Sequence, residues 1–395
     1  MDTINKIKPA TLEEAFELRP AQSIKEISLY ESRMNNDTAH HSNQDYFVPG
    51  TVPTETKSRE QEEIVHSKEY QTLDNSPQRI EVHQEHKPME VIQYEHKPFI
   101  EANTQAVNLY HLKNDCIIPV FSKDNEKTIA HQEFIDVVMN AAQKVFPMQT
   151  EIRVSHQIKG RTPDAIHLNV KDLLDHQKTI YYERMAFIIR IPGITDIVNG
   201  NGLSLTIGGV RSYNLENLYN KKALERMKFF IGFQNQICCN LCVSTDGFKE
   251  DMRVSGTQDL YSKTLDVMQN YNAELHLKEM KELTHDSLSE HQFAQLIGRS
   301  RLYQHLPKPK KLNIPLLNFN DSHINTIAKD YYEDKNFCRQ EYGRINLWYL
   351  YNLFTQANKS SYIDTFLDRN LNAFEFSKGI QKTLNGNSDY CWFLS

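Results

Sequence analysis

Three cysteines and a set of side-chain amides crowd the stretch Phe229-Phe-Ile-Gly-Phe-Gln-Asn-Gln-Ile-Cys-Cys-Asn-Leu-Cys-Val-Ser-Thr-Asp-Gly247, and these are the residue types from which a metal or nucleophile site is built. A structural metal site needs a second ligand pair. No other CxxC spacing follows Cys239 and Cys242, and Cys338 and Cys391 stand alone. In a regular strand Cys239 and Cys242 point to opposite faces, so the expectation is reduced, buried thiols with no metal and no cofactor. A nucleophilic cysteine would need a base beside it to form the thiolate, and His156, on a strand-like segment, is one of ten histidines after residue 100 that the fold could bring there. Asn240 interrupts an apolar run where a core strand prefers a hydrophobe. His156, Asn235, Asn240 and Asp246 therefore form the candidate polar site, and a hydrolase built on it is the alternative functional reading. A hydrogen-bonded core asparagine is the plainer reading of each amide.

The second chemistry is phosphate neutralisation. Residues 151–228 carry twelve basic against eight acidic side chains, interleaved with tyrosines. Arg153, Lys159, Arg161, Arg211, Lys222 and Arg226 could meet phosphates, and Tyr182 and Tyr213 could stack on bases, which makes these eight residues the candidate nucleic-acid surface. An ordinary mixed-charge surface is the plainer alternative. Ile207-Gly-Gly-Val210 has no Gly-x-x-x-x-Gly-Lys-Ser/Thr continuation and no helix after it, so it does not read as a phosphate loop.

The elements that must position these groups follow from periodicity. Leu109–Leu112 and Cys116–Phe121 look strand-like, and Thr128 can cap a helix running to about Phe146. Arg153–Arg161 alternates, with its basic residues on the face opposite His156. Met185–Ile191 reads as a strand ended by Pro192-Gly193, and Leu203–Ile207 as a strand followed by a turn or bulge at Gly208-Gly209. Two buried strands flank the amides of the central stretch, and Asp246-Gly247 reads as a hairpin turn. A long helix is expected from about Gln258 to Leu283, and another after the capping boxes Ser287/Glu290 and Ser289/Gln292, ending in Arg299 and Arg301. A proline-broken loop with Lys308-Pro-Lys-Lys311 follows. Helices are expected at Ser322–Tyr332, Ile345–Ala357, Tyr362–Leu367 and Ala373–Leu384, with the segment around Trp348 apolar nearly all round and buried.

The acidity of the chain lies in its first quarter: residues 1–100 hold eighteen acidic and eleven basic side chains, and the rest sums to +1. Apart from a short helix at Thr11–Leu18, the first 98 residues are too polar to offset chain entropy and read as a disordered acidic tail. The absence of any long apolar run excludes a membrane helix, and the N-terminus has no apolar signal core. A cytoplasmic protein that does not enter a membrane is expected.

Phe99-Ile-Glu-Ala-Asn-Thr104, Asn114 to Glu126, Thr179-Ile-Tyr-Tyr-Glu-Arg-Met185, Phe230 to Asn235, Asn240 to Gly247 and Ala357 to Asp364 carry a family likeness. Through them the chain resembles a bacterial family of unknown function, the domain of unknown function family 3871, typical of Bacteroides-type genomes and mobile elements. The basic strand Arg153–Arg161, the Gly208–Asn214 region and Asn240-Leu241 are more distantly similar to phage- and plasmid-like proteins. The resemblance implies a mobile-element protein that handles DNA, and carries no catalytic residues with it. The expectation is an α+β fold: residues 99–395 as one domain, sheet-rich over 99–250 and helical over 251–395, behind the tail at 1–98. Its expected role is non-enzymatic DNA binding, including single-strand binding or annealing. A protein-interaction module acting through the acidic tail is a further alternative.

Overall fold

A computed structural model describes residues 97–118, 128–143, 146, 148–161, 163–165, 167–169, 172–213 and 224–395. The expected tail, including the Thr11–Leu18 helix, lies outside these residues except for its last two positions. Six strands form an antiparallel meander in sequence order: β1 (Gln105–Val107), β2 (Gln149–Arg161), β3 (Lys178–Val198), β4 (Asn201–Ser212), β5 (Glu225–Asn235) and β6 (Leu241–Val254). Helices α1 (Leu109–Asn114) and α2 (His131–Gln143) precede β2. After β6 the chain is largely helical, as expected: α3 (Thr257–Asn270), α4 (Ala273–Glu282), α5 (Glu290–His305), α6 (Lys308–Lys311), α7 (Asp321–Glu333), α8 (Leu347–Asn358) and α9 (Ile363–Leu384). A small ladder, β7 (Ser287–Leu288) with β8 (Ile345–Asn346), joins the start of α5 to that of α8.

Met185 to Ile189 are all fully buried, so the middle of β3 is covered on both faces and reads as a continuous apolar run rather than an alternating one. On one face α2 drives Phe134 against Phe187, edge to face at 5.1 Å. On the other, Ile363, Phe366 and Leu367 of α9 pack on Ala186, Ile188, Val210 and Phe230. Trp348 and Tyr351 of α8 are wholly buried, and the Trp348 indole N–H donates to Asn201 Oδ1 at 2.9 Å, fixing α8 to the β3–β4 turn.

Several boundaries differ from expectation. Leu109–Leu112 is helical, because Asn108 caps it by accepting the His111 N–H at 2.7 Å. Pro192-Gly193 does not end β3, which crosses it with a register shift between Ile191 and Thr195 that absorbs the missing donor. Gly208-Gly209 lies inside β4: a Cβ on Gly209 would come within 2.5 Å of the Phe134 ring, so the glycines admit close neighbours rather than a turn. Asp246-Gly247 is likewise inside β6, where a Gly247 Cβ would meet the Ile231 carbonyl at 2.2 Å. The long helix expected at 258–283 breaks at Tyr271, and Asn272 caps α4. The two last expected helices are the single helix α9. The Ser289/Gln292 capping box forms as expected. No helix among the described residues is long and apolar enough to cross a membrane.

Candidate functional site

The central amides fasten the β5–β6 loop to α8. Asn235 Oδ1 accepts the Ile237 N–H at 3.0 Å, its Nδ2 donates to Asn352 Oδ1 at 3.4 Å, and Asn240 Nδ2 donates to the carbonyl and side-chain oxygen of Asn352 at 3.2 and 3.3 Å. The buried Lys359 ammonium donates to the Cys238 carbonyl. Cys239 takes a left-handed conformation, φ 58°, to close the loop. Burial pushes the Cys238 and Cys242 thiols up to about 12 and also raises Cys239. A nucleophilic cysteine needs the opposite shift.

The other members of the polar constellation lie elsewhere. Asp246 accepts from Ser244 Oγ at 2.6 Å and from the Asn272 N–H at 2.9 Å, holding β6 to the break between α3 and α4. His156 sits on β2 next to Ser155, which pairs through Arg184 with Ser212, whereas Asn235 pairs with Leu203. Nine residues of β4 separate the two rows, roughly 30 Å at about 3.3 Å per residue. The fold does not bring His156 to Asn240.

Most of the expected nucleic-acid residues that can be followed are turned to internal use. Arg211 is wholly buried, ion-paired with Glu225, and its guanidinium lies 4.6 Å over the Tyr213 ring. Tyr213, also buried, stacks on His131 at 4.3 Å. His131 Nε2 donates to the Tyr182 carbonyl at 2.8 Å, and Glu225 accepts the Ile129 N–H at 2.9 Å. This stack of guanidinium, phenol and imidazole ties α2 to the sheet, and neither Arg211 nor Tyr213 can reach a phosphate or a base. Burial first, then the nearby Arg211 charge, lowers His131 to about 3. Tyr182 is buried as well. Arg153 is half-buried and donates to Thr104 Oγ1 and its carbonyl, both at 3.3 Å. Arg226 is exposed but meets Asp251 at 2.6 Å. Lys159 and Arg161 lie on β2, their side chains outside the description, and Lys222 lies outside the described residues.

A second cationic region is open. Residues 291–320 contain five Lys or Arg and no Asp or Glu. They form all of α5 but its first residue, the short α6 and the segment after it, with Arg301, Lys308 and Lys310 exposed. Pro307 starts α6 and presents three lysines within one turn. Lys311 lies 5.0 Å over the Tyr303 ring and Arg299 lies 5.2 Å over Trp392. Leu302, Leu312 and Leu316 are exposed among them. Arg301 is paired across the patch edge with Asp321 at 2.7 Å. The signal that finds this surface in sequence is the acid-free run, not the total charge.

A family model described as "Domain of unknown function, B. Theta Gene description (DUF3871)" matches residues 87–394. No curated protein and no solved structure matches the chain.

Proposed function

The chain belongs to that family of unknown function, and for this member we propose nucleic-acid binding, with DNA as the partner and no chemistry performed on the strand. The observation that carries the proposal is the acid-free segment 291–320, in which Lys308 and Lys310 are displayed to solvent at the α5–α6 end. The exposed leucines and the partly exposed ring of Trp392 beside the cations favour single strands, whose unstacked bases can lie on apolar and aromatic side chains. The binding surface would lie on a single α+β domain at 99–395, in a cytoplasmic protein and in the mobile-element setting that the family resemblance implies.

Fluorescence polarisation with a single-stranded and a duplex oligonucleotide tests it. If all five cations of the segment neutralise phosphates, single-strand affinity falls with a log–log salt slope of about −3.5, roughly a hundredfold between 50 and 200 mM. The triple variant Lys308→Glu, Lys310→Glu, Lys311→Glu should weaken binding at least about tenfold and flatten the slope by about 2. Absence of salt-dependent binding to either oligonucleotide overturns the proposal. So does binding to anionic vesicles that oligonucleotide does not compete away.

A further inference from the structure

A cavity of about 1050 Å³ opens along β1, α1 and the adjoining part of β2, far in sequence from the cationic segment. At its wall three side chains form a continuous hydrogen-bonded chain. Asp115 Oδ2 lies 2.8 Å from His111 Nδ1, and His111 Nε2 lies 2.9 Å from the Tyr182 hydroxyl. An ionised carboxylate can only accept, so Nδ1 carries the imidazole proton. Nε2 is then the bare nitrogen and accepts the phenol O–H. Gln105 Nε2 donates to the same phenol oxygen at 3.1 Å and fixes its orientation.

The three groups are graded in exposure. The Tyr182 ring is buried and meets His111 edge on at 5.7 Å, while the His111 side chain is 27% and Asp115 52% exposed. Burial raises the Tyr182 phenol, so it is protonated at neutral pH and donates to the imidazole. Tyr110, 72% exposed on the same wall, offers a flat apolar face.

We propose that this cavity is a binding site for a small neutral molecule bearing a hydroxyl group, such as a polyol, with the Tyr182 oxygen as the acceptor that meets it. The ligand hydroxyl donates to the Tyr182 oxygen while the phenol donates to His111 Nε2 and the His111 Nδ1–H to Asp115, so each donor is polarised by the next and every proton stays on its own heavy atom. The site is independent of the nucleic-acid reading and stands or falls separately from it.

Labelling of the full chain with an aryl sulfonyl-triazole tests the relay without knowledge of the ligand. In that reaction a phenol oxygen–sulfur bond forms, the sulfur–triazole bond breaks, and the phenol proton goes to His111. Exposure alone predicts that Tyr110 is modified and Tyr182 is not. The relay predicts that site-resolved mass spectrometry finds Tyr182 labelled faster than Tyr110, and that Asp115→Asn and His111→Phe each slow Tyr182 about tenfold or more. Tyr110 labelling stays constant in both variants, and added imidazole restores the rate in His111→Ala. Labelling that follows exposure, or a Tyr182 rate indifferent to Asp115→Asn in a variant of unchanged thermal midpoint, overturns the proposal.

Discussion

Residues 151–228 and residues 291–320 carry comparable excesses of positive charge, four over 78 residues and five over thirty, yet the fold puts them to opposite uses. In the sheet region the cations find carboxylates, several from distant segments: Arg211 meets Glu225, Arg184 meets Asp364, Lys228 meets Asp368, and Arg226 meets Asp251. The charges there hold helices to strands. In the α5–α6 region no acid lies within the segment, and Lys308 and Lys310 remain displayed to solvent. Charge excess in a sequence points to an anionic partner only after the pairings that the fold makes have been subtracted.

The largest effect that could break this comparison is at Arg211. Arg211→Ala leaves Glu225 buried without its partner and should cost about 3–5 kcal/mol in urea unfolding. Lys308→Ala or Lys310→Ala should stay within about 0.5 kcal/mol. A loss at Arg211 no larger than at the lysines would mean that the buried pair is not what secures this part of the sheet.

A smaller effect concerns His131, stacked in the same cluster. Its folded value of about 3 against an ordinary 6.5 means that the folded chain refuses a proton the unfolded chain accepts. Its contribution is therefore complete above pH 6.5 and is lost as the pH falls toward 3, by about 2 kcal/mol at pH 5. Unfolding free energies from urea titrations at pH 7.5 and pH 5 should differ by that much less in His131→Phe than in the wild type. An equal pH dependence in both would remove His131 from the account.

The smallest effect sharpens the boundary between the regions. Arg226→Ala breaks an exposed pair with Asp251 and should change stability by no more than about 1 kcal/mol. It should also weaken oligonucleotide binding less than Lys310→Ala does in the same titration. The reverse order would return the binding surface to the sheet.

The sheet and the C-terminal helices were legible in sequence because alternation and helical spacing report burial directly. The antiparallel sheet, the Ser289 capping box and the buried Trp348 segment are the expectations that rest on such local signals, whereas the strand order is seen only in the fold. Gly208-Gly209 and Asp246-Gly247 misled because a glycine that makes room for Phe134 or the Ile231 carbonyl looks, in one dimension, like a glycine that turns the chain. The amides at 235 and 240 stood out as unsuited to packing, but their partner Asn352 lies more than a hundred residues away. The relay was hidden twice: His111 lies in a stretch read as a strand, and Tyr182 is 71 residues further on.

The bond from Asn240 to Asn352 spans 112 residues, and that distance is also an interval of time. At roughly 5–20 residues per second, the β5–β6 loop leaves the ribosome about 6–22 s before the helix that completes its hydrogen bonds. During that interval its amides and buried thiols face water or a chaperone, so slowing synthesis between the two segments should lengthen the stage at which the nascent sheet is most open to oxidation and mispairing.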